Sequence, residues 1–221
     1  MTLALTSTSL AKGKAMRRLD VTAPDDINNA VTLQLEDDYY NLDSTVTHYL
    51  QGALELSTRS GYTYSIQALN VPLYGGGAQS FQNDLYFGFS KYTKLNEQFA
   101  LNTGTAHGTV FGAPAMQWHS SHYANVDFKV TDWLTIYGGG YYANKQLSTT
   151  ANVFGYLTGF SIKFLDGFKI EGQYLSGVNN LSGGTFNLWY KNFYIGIGSG
   201  EANSGNPWYG SAGFKLKLFN F

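Results

Sequence analysis

The sequence predicts an all-β chain closed into an antiparallel, up-and-down transmembrane β-barrel of about twelve strands. Three observations predict it. Apolar and polar residues alternate at period two in run after run, the signature of a strand with two unlike faces. The connections between runs are alternately short and long. Only 13% of the 221 residues are charged, while 16% are aromatic and 26 are Gly. Soluble domains carry about a quarter charged residues, whereas a barrel wall in lipid needs apolar residues outside and aromatics at its rims.

Composition sets further bounds. The formal net charge of −1 provides no field for nucleic acid, and the absence of Cys excludes disulfides and thiolate metal sites. No apolar run of about 20 residues exists, so no transmembrane helix is expected. A mildly negative mean hydropathy agrees with a barrel, because lipid-facing and lumen-facing residues cancel in any window. No cofactor is expected.

Residues 1–11 are small and apolar and end in Ser9-Leu10-Ala11, which resembles a signal-peptidase site. They read as the remnant of a secretory signal. Residues 12–29 are charged, contain Pro24 and show no period, so they read as a flexible periplasmic lead-in. The barrel is assigned to residues 30–221.

The first run sets Val31, Leu33 and Leu35 against Thr32, Gln34 and Glu36. A polar connection with Asp37, Asp38 and Asp43 is expected next. Leu50, Leu54 and Leu56 then alternate with Gln51, Ala53 and Glu55. After the Arg59-Ser60-Gly61 turn, Tyr62, Tyr64 and Ile66 oppose Thr63, Ser65 and Gln67. The glycine loop Gly75-Gly76-Gly77 leads to Leu85, Phe87 and Phe89 against Tyr86, Gly88 and Ser90. Phe99 and Leu101 follow, against Ala100 and Asn102. The longest connection is placed at 107–121.

Beyond it, Val126, Phe128 and Val130 oppose Asn125, Asp127 and Lys129, and Leu134, Ile136 and Tyr142 oppose Thr135, Tyr137 and Tyr141. In the next pair Phe154, Tyr156, Phe160, Ile162 and Phe164 share a face, with Gly155, Gly159, Ser161 and Lys163 behind them. Asp166-Gly167 is a hairpin signal. Phe168, Ile170 and Tyr174 then oppose Lys169, Glu171 and Gln173. Phe186, Leu188 and Tyr190 oppose Asn187, Trp189 and Lys191; Lys191-Asn192 turns the chain into Phe193, Ile195 and Ile197. The last run is 208–221. Short turns fall near 59–61, 93–98, 131–133, 165–167 and 191–192, and the longer, Gly-, Ser- and Asn-rich loops lie between them. Both termini therefore belong on the short-turn side.

The hairpin Val126 to Tyr137, the short-turn and long-loop rhythm and the terminal Phe221 resemble the Gram-negative outer-membrane β-barrel class, from about residue 30 onward. The resemblance implies a bacterial outer-membrane location and contact with outer-membrane lipid. It also implies recognition of the C-terminal strand by the barrel-assembly machinery. There is one departure: Phe214, Leu216 and Leu218 share a face, while Phe221 falls in the opposite parity with Phe219, Lys217 and Lys215. A bulge near Leu218-Phe219 reconciles the two.

With the apolar face in lipid, the lumen candidates are Glu36, Gln51, Glu55, Asp127, Lys129, Lys163, Lys169, Glu171, Gln173, Trp189, Lys191, Lys215 and Lys217. Acidic residues sit mainly on the first two strands and lysines on the last five, which predicts a field across the bore. Twelve-stranded channels for acidic oligosaccharides have basic lumens, and the lysine set is similar to theirs. The lysines also lie near short turns, where they read as a periplasmic rim or as partners of Glu171 and Asp127. The expected function is passive diffusion of a small solute or ion, without enzymatic activity. The alternative is a non-conducting barrel acting in structure, adhesion or partner docking through its long loops, with a homo-oligomer or a protein partner expected. A third reading is a hydrolase. His119-Ser120-Ser121-His122 is the densest candidate for such chemistry, but no oxyanion hole or motif accompanies it, and it reads as loop surface. Asp37, Asp38, Asp43 and His48 likewise read as a solvated loop. Gly75–Gly77 and Gly138–Gly140 precede no helix and are not phosphate loops; the second lies in a strand and suits close packing.

Overall fold

The computed structural model describes residues 28–42, 45–74, 83–111, 118–144, 153–177, 183–200 and 208–221. Asp43, the Gly75–Gly77 loop and the expected signal remnant lie outside these residues. Twelve strands follow in order: β1 (Ala30–Leu42), β2 (Thr45–Ser57), β3 (Tyr62–Tyr74), β4 (Asn83–Lys94), β5 (Phe99–Phe111), β6 (Trp118–Lys129), β7 (Leu134–Ala143), β8 (Val153–Leu165), β9 (Phe168–Leu175), β10 (Gly183–Tyr190), β11 (Phe193–Gly200) and β12 (Trp208–Asn220). Each pairs antiparallel with its sequence neighbours, and β1 pairs with β12 to close the barrel. Closure gives every strand two partners, which is what permits a sheet to cross lipid.

The alternation read from the sequence sets the two faces. Phe154 is 82% exposed and Ile195 62%, while Asn125, on the opposite face of its strand, is 1% exposed. The apolar side chains thus point outward and the polar ones inward, the reverse of a soluble barrel. The outward aromatics gather into two girdles. On the short-turn side, Phe99 stacks on Phe128 at 4.9 Å and Phe168 meets Tyr190 at 4.6 Å between ring centres. Towards the other rim, Tyr142 meets Phe154 at 5.0 Å and Tyr156 meets Tyr174 at 5.9 Å. Such girdles match aromatic rings to the two interfaces of a bilayer.

The turns follow their residues. Gly167 of the Asp-Gly hairpin takes φ +78°, and Lys191 takes φ 53° in the two-residue turn that joins β10 to β11. On β12 the pairing with β1 shifts: Val31 faces Phe219, and Thr32 faces Lys217. Leu218 is therefore the extra residue, the bulge that the parity of the last strand requires. It returns Phe219 and Phe221 to the outward register, and both are exposed.

Two polar stretches depart from expectation. Asp37 and Asp38 lie inside β1, and His119 to His122 lie inside β6, not in loops. Both are near the long-loop rim, where outward residues meet headgroups and water. Polar side chains are tolerated on both faces there, and the polarity contrast that marks a strand fades.

Candidate channel lumen

The inward faces enclose a cavity of about 400 Å³. It is lined by residues from β1 to β7 and β9 to β12 and includes Glu36, Gln51, Glu55, Lys169, Glu171, Gln173, Trp189, Lys191, Lys215 and Lys217. Asp127 points inward and is buried but does not line this cavity. Lys129 and Lys163 are exposed at the short-turn rim, outside it.

Much of the lining is held by side-chain contacts. Lys169 Nζ lies 2.9 Å from Glu171 Oε1, an i,i+2 pair on one strand face, and 4.7 Å from the centre of the Trp189 ring. Trp189 in turn packs on Tyr194 at 4.3 Å. Lys215 Nζ reaches across β1 to Glu55 Oε2 at 2.8 Å. Gln51 Nε2 donates to Asp38 Oδ2 at 3.0 Å. Asp127 accepts from Asn125 Nδ2 at 2.5 Å, while Lys129 turns away to Asp132 at 2.6 Å. The expected pairing with Glu171 is thus present, and the one with Asp127 is replaced by Asn125.

The expected division of charge across the bore holds in part, with Glu36, Asp38 and Glu55 on β1 and β2 and Lys169, Lys215 and Lys217 on β9 and β12. Asp84 on β4 and Asp127 on β6 place buried carboxylates away from β1 and β2. The lysines, by contrast, sit close to the short turns. Carboxylates stand at that depth too, where Glu55 meets Lys215 and Glu171 meets Lys169, and recur at the long-loop end with Asp38 and Asp84. Asp38 and Asp84 were missed as lumen residues. Asp38 continues the parity of Thr32, Gln34 and Glu36 along β1, and that signal was available.

A second feature shapes the bore. Tyr86 lies over Gly108, Tyr123 over Gly104, Tyr137 over Gly159, Tyr141 over Gly155, Tyr194 over Gly213 and Tyr209 over Gly198, in each case the residue directly across on the next strand. A Cβ on any of these glycines would run into the ring. The rings lie along the wall because the opposite residue has no side chain. On the β7–β9 side, Tyr137, Tyr141, Ala143, Leu157 and Leu175 form a packed cluster inside the barrel, with Tyr123 against it. Gly139 permits a close approach, since a Cβ there would lie 2.5 Å from Asn125 Cα.

The candidate groups for chemistry are split by the strand geometry. His119 and Ser121 point inward and are buried. Ser120 and His122 point outward, with Oγ and Nε2 3.1 Å apart, and His107 lies beside His122 at 5.3 Å. Asp37 and His48 are also outward and pair at 2.9 Å. Among the described residues no group of three His, Asp or Glu is arranged to hold a metal ion.

Comparison with solved structures gives the same architecture. A structure described as "NanC porin structure in rhombohedral crystal form" is 15% identical, with a TM-score of 0.63 over 84% of this chain and 100% of that one. The chain shares the fold of that structure. A structure described as "KdgM porin in complex with disordered oligogalacturonate" is 14% identical, with a TM-score of 0.57 over 83% and 98% of the two chains. One described as "KdgM porin" gives 0.55 over the same shares. At this identity the likeness is one of fold. No family model and no curated protein matches the sequence.

Proposed function

We propose that the chain is an outer-membrane channel through which small solutes or ions diffuse passively. The observation that carries this reading is a polar-lined cavity enclosed by a closed barrel whose outer wall is apolar. A solute would cross by exchanging part of its hydration for the amide, hydroxyl and charged groups of the lining. Selection would act through bore width and charge, with no covalent step. The porin fold of the structural neighbours supports the reading and the outer-membrane location.

Single-channel recording in planar bilayers tests it. Discrete conductance steps are expected; their absence at every salt concentration would reject it. The packed cluster around Leu157 and Tyr141 favours one alternative, a filled barrel that presents its long loops to a partner. That alternative gives no steps and a detergent-soluble, heat-modifiable monomer.

A further inference from the structure

We propose that the outer wall of the barrel binds a single transition-metal ion of the zinc or copper class, held by His107 on β5 and His122 on β6. The proposal does not depend on the channel reading. The two strands pair so that Thr105 faces His122 and His107 faces Ser120. All four side chains lie on the outward face. Each His follows a hydroxyl residue by two positions on its own strand, so the block repeats itself about a local two-fold axis.

Hydrogen bonding fixes which nitrogen is offered. Thr105 Oγ1 donates its only proton to the Ser121 carbonyl, 3.0 Å away. Its 2.8 Å contact with His107 Nε2 therefore requires Nε2 to carry a proton and donate it. The neutral ring then has its lone pair on Nδ1, which makes no hydrogen bond and is shut off from solvent. His122 repeats the pattern: Nε2 lies 3.1 Å from Ser120 Oγ, which leaves Nδ1 over. An imidazole with one nitrogen tied to an oxygen and a lone pair on the other is the arrangement of a metal-ligating histidine.

Spacing agrees. With metal–nitrogen bonds of about 2.0–2.1 Å, two imidazoles on one tetrahedral ion have ring centres about 5 Å apart. Those of His107 and His122 are 5.3 Å apart, with the rings edge to face at 71°. His122 is exposed and is the movable side of the site. It stands 5.8 Å from Tyr142 of the girdle near the long-loop rim, within reach of ions in the aqueous phase, and water completes the coordination. Imidazoles without a carboxylate suit zinc, copper or nickel, not calcium or magnesium. Asp37, the outward carboxylate near that rim, is held by His48 on β1 and β2.

The test is calorimetric titration of the folded full chain in detergent with zinc. One ion per chain is expected. His107→Phe and His122→Phe, whose rings suit the lipid side, should each weaken binding at least about tenfold. Thr105→Val removes the partner that fixes the His107 tautomer and should weaken it about tenfold, as loss of such an outer partner does. His48→Gln should leave it unchanged. With copper(II) in place of zinc, electron paramagnetic resonance should show coupling to two nitrogens. Heat-modifiable migration on a gel establishes that each variant is folded. In the wild-type chain zinc should also protect His122 from diethylpyrocarbonate, a reading that needs no variant. Absence of zinc binding, full binding in either folded His variant, coupling to a single nitrogen, or no protection of His122 overturns the proposal. Each of these outcomes leaves the channel reading standing.

Discussion

Tyr86 Oη and His119 Nδ1 lie 2.7 Å apart inside the barrel, on strands separated by β5, with Gly108 between them. The tautomer of the imidazole decides which of the two donates. The rings also stack, with centres 6.0 Å apart. The contact spans a strand only because Gly108 leaves the wall flat, and it ties β4 to β6 directly.

Gly108→Ala should break this arrangement. A Cβ there would stand 2.6 Å from Tyr86 Cδ1 and close to the Leu85 carbonyl. Tyr86 must then leave the wall and enter the bore. Overpacking of this kind costs about 1–3 kcal/mol. Urea unfolding from lipid vesicles should show the loss, and single-channel conductance should fall with it. A variant of full stability and conductance would show that the ring has another place to go.

Tyr137 and Gly159 should behave alike. Gly159→Ala pushes Tyr137 off the β8 wall, and Tyr137 Oη loses its bond to the Gly172 carbonyl, 3.4 Å long. Gly138, next to Tyr137 on β7, is different: the nearest atom to a Cβ there is 3.9 Å away. Gly138→Ala should therefore unfold like the wild type while Gly159→Ala is destabilised, and parallel urea titrations check the contrast.

Asp132 in the β6–β7 turn carries the one pH expectation. The Lys129 ammonium hydrogen-bonds to its carboxylate and holds it below the ordinary carboxylate range, with the lysine charge adding to the effect. The folded pKa is thus lower than the unfolded one, which is about 3.9. The pair's contribution is fully present above the unfolded value and is lost as pH falls through the folded one. Asp132 is 95% exposed, so the effect is small and screened by salt. Asp132→Asn should differ slightly from wild type at neutral pH and low salt. The difference should vanish in about 1 M salt, where charges are screened within about 3 Å, and at pH below both values. Denaturation midpoints at paired salts measure it; a difference that persists in high salt rejects the electrostatic account.

Removing Leu218 should invert the end of the chain. The bulge lets Lys217 face the lumen while Phe219 and Phe221 face lipid. Without the extra residue, either the two Phe or the residues above them must change faces, because a one-residue slip flips every side chain beyond it. The yield of folded, heat-modifiable barrel should drop sharply for the deletion. Leu218→Val, which keeps the residue count, should restore it.

Ser120 and His122 should carry no hydrolysis. The rings flanking His122 are His107 and Tyr142, neither of which is a carboxylate that would hold the imidazole for general-base work on Ser120. A serine-directed fluorophosphonate should leave Ser120 unlabelled, and Ser120→Ala should not change the conductance. Labelling lost in Ser120→Ala would revive the hydrolase reading.

Much of the barrel was legible because lipid and lumen impose opposite chemistry on alternate residues. Phe160 and Ile162 against Gly159 and Ser161 declare a face, and so do Ile195 and Ile197. Legibility failed at the long-loop rim. Asp37, His48, His107, Ser120 and His122 all point outward there, so β1 and β6 looked shorter than they are. The Lys169–Glu171 pair was readable from its i,i+2 spacing. The Lys215–Glu55 pair was not, since it joins strands brought together only by closure between β12 and β1. The tyrosine–glycine pairs were hidden for a different reason, since they join strands adjacent in sequence. Each residue alone marks a face, but only the register shows that Tyr194 meets Gly213.

Closure between Ala30 and Asn220 also dictates the order of events in folding. These partners are separated by almost the whole barrel sequence, and the loop between them must be complete before their bonds form. Any shorter chain is an open sheet with two unpaired edges, prone to pair with a neighbour. Adding strands one at a time leaves that hazard unchanged until the last strand docks. A truncation lacking β12 should therefore leave an aggregating species, not a smaller pore, and the β1 edge stays open until β12 has docked on it.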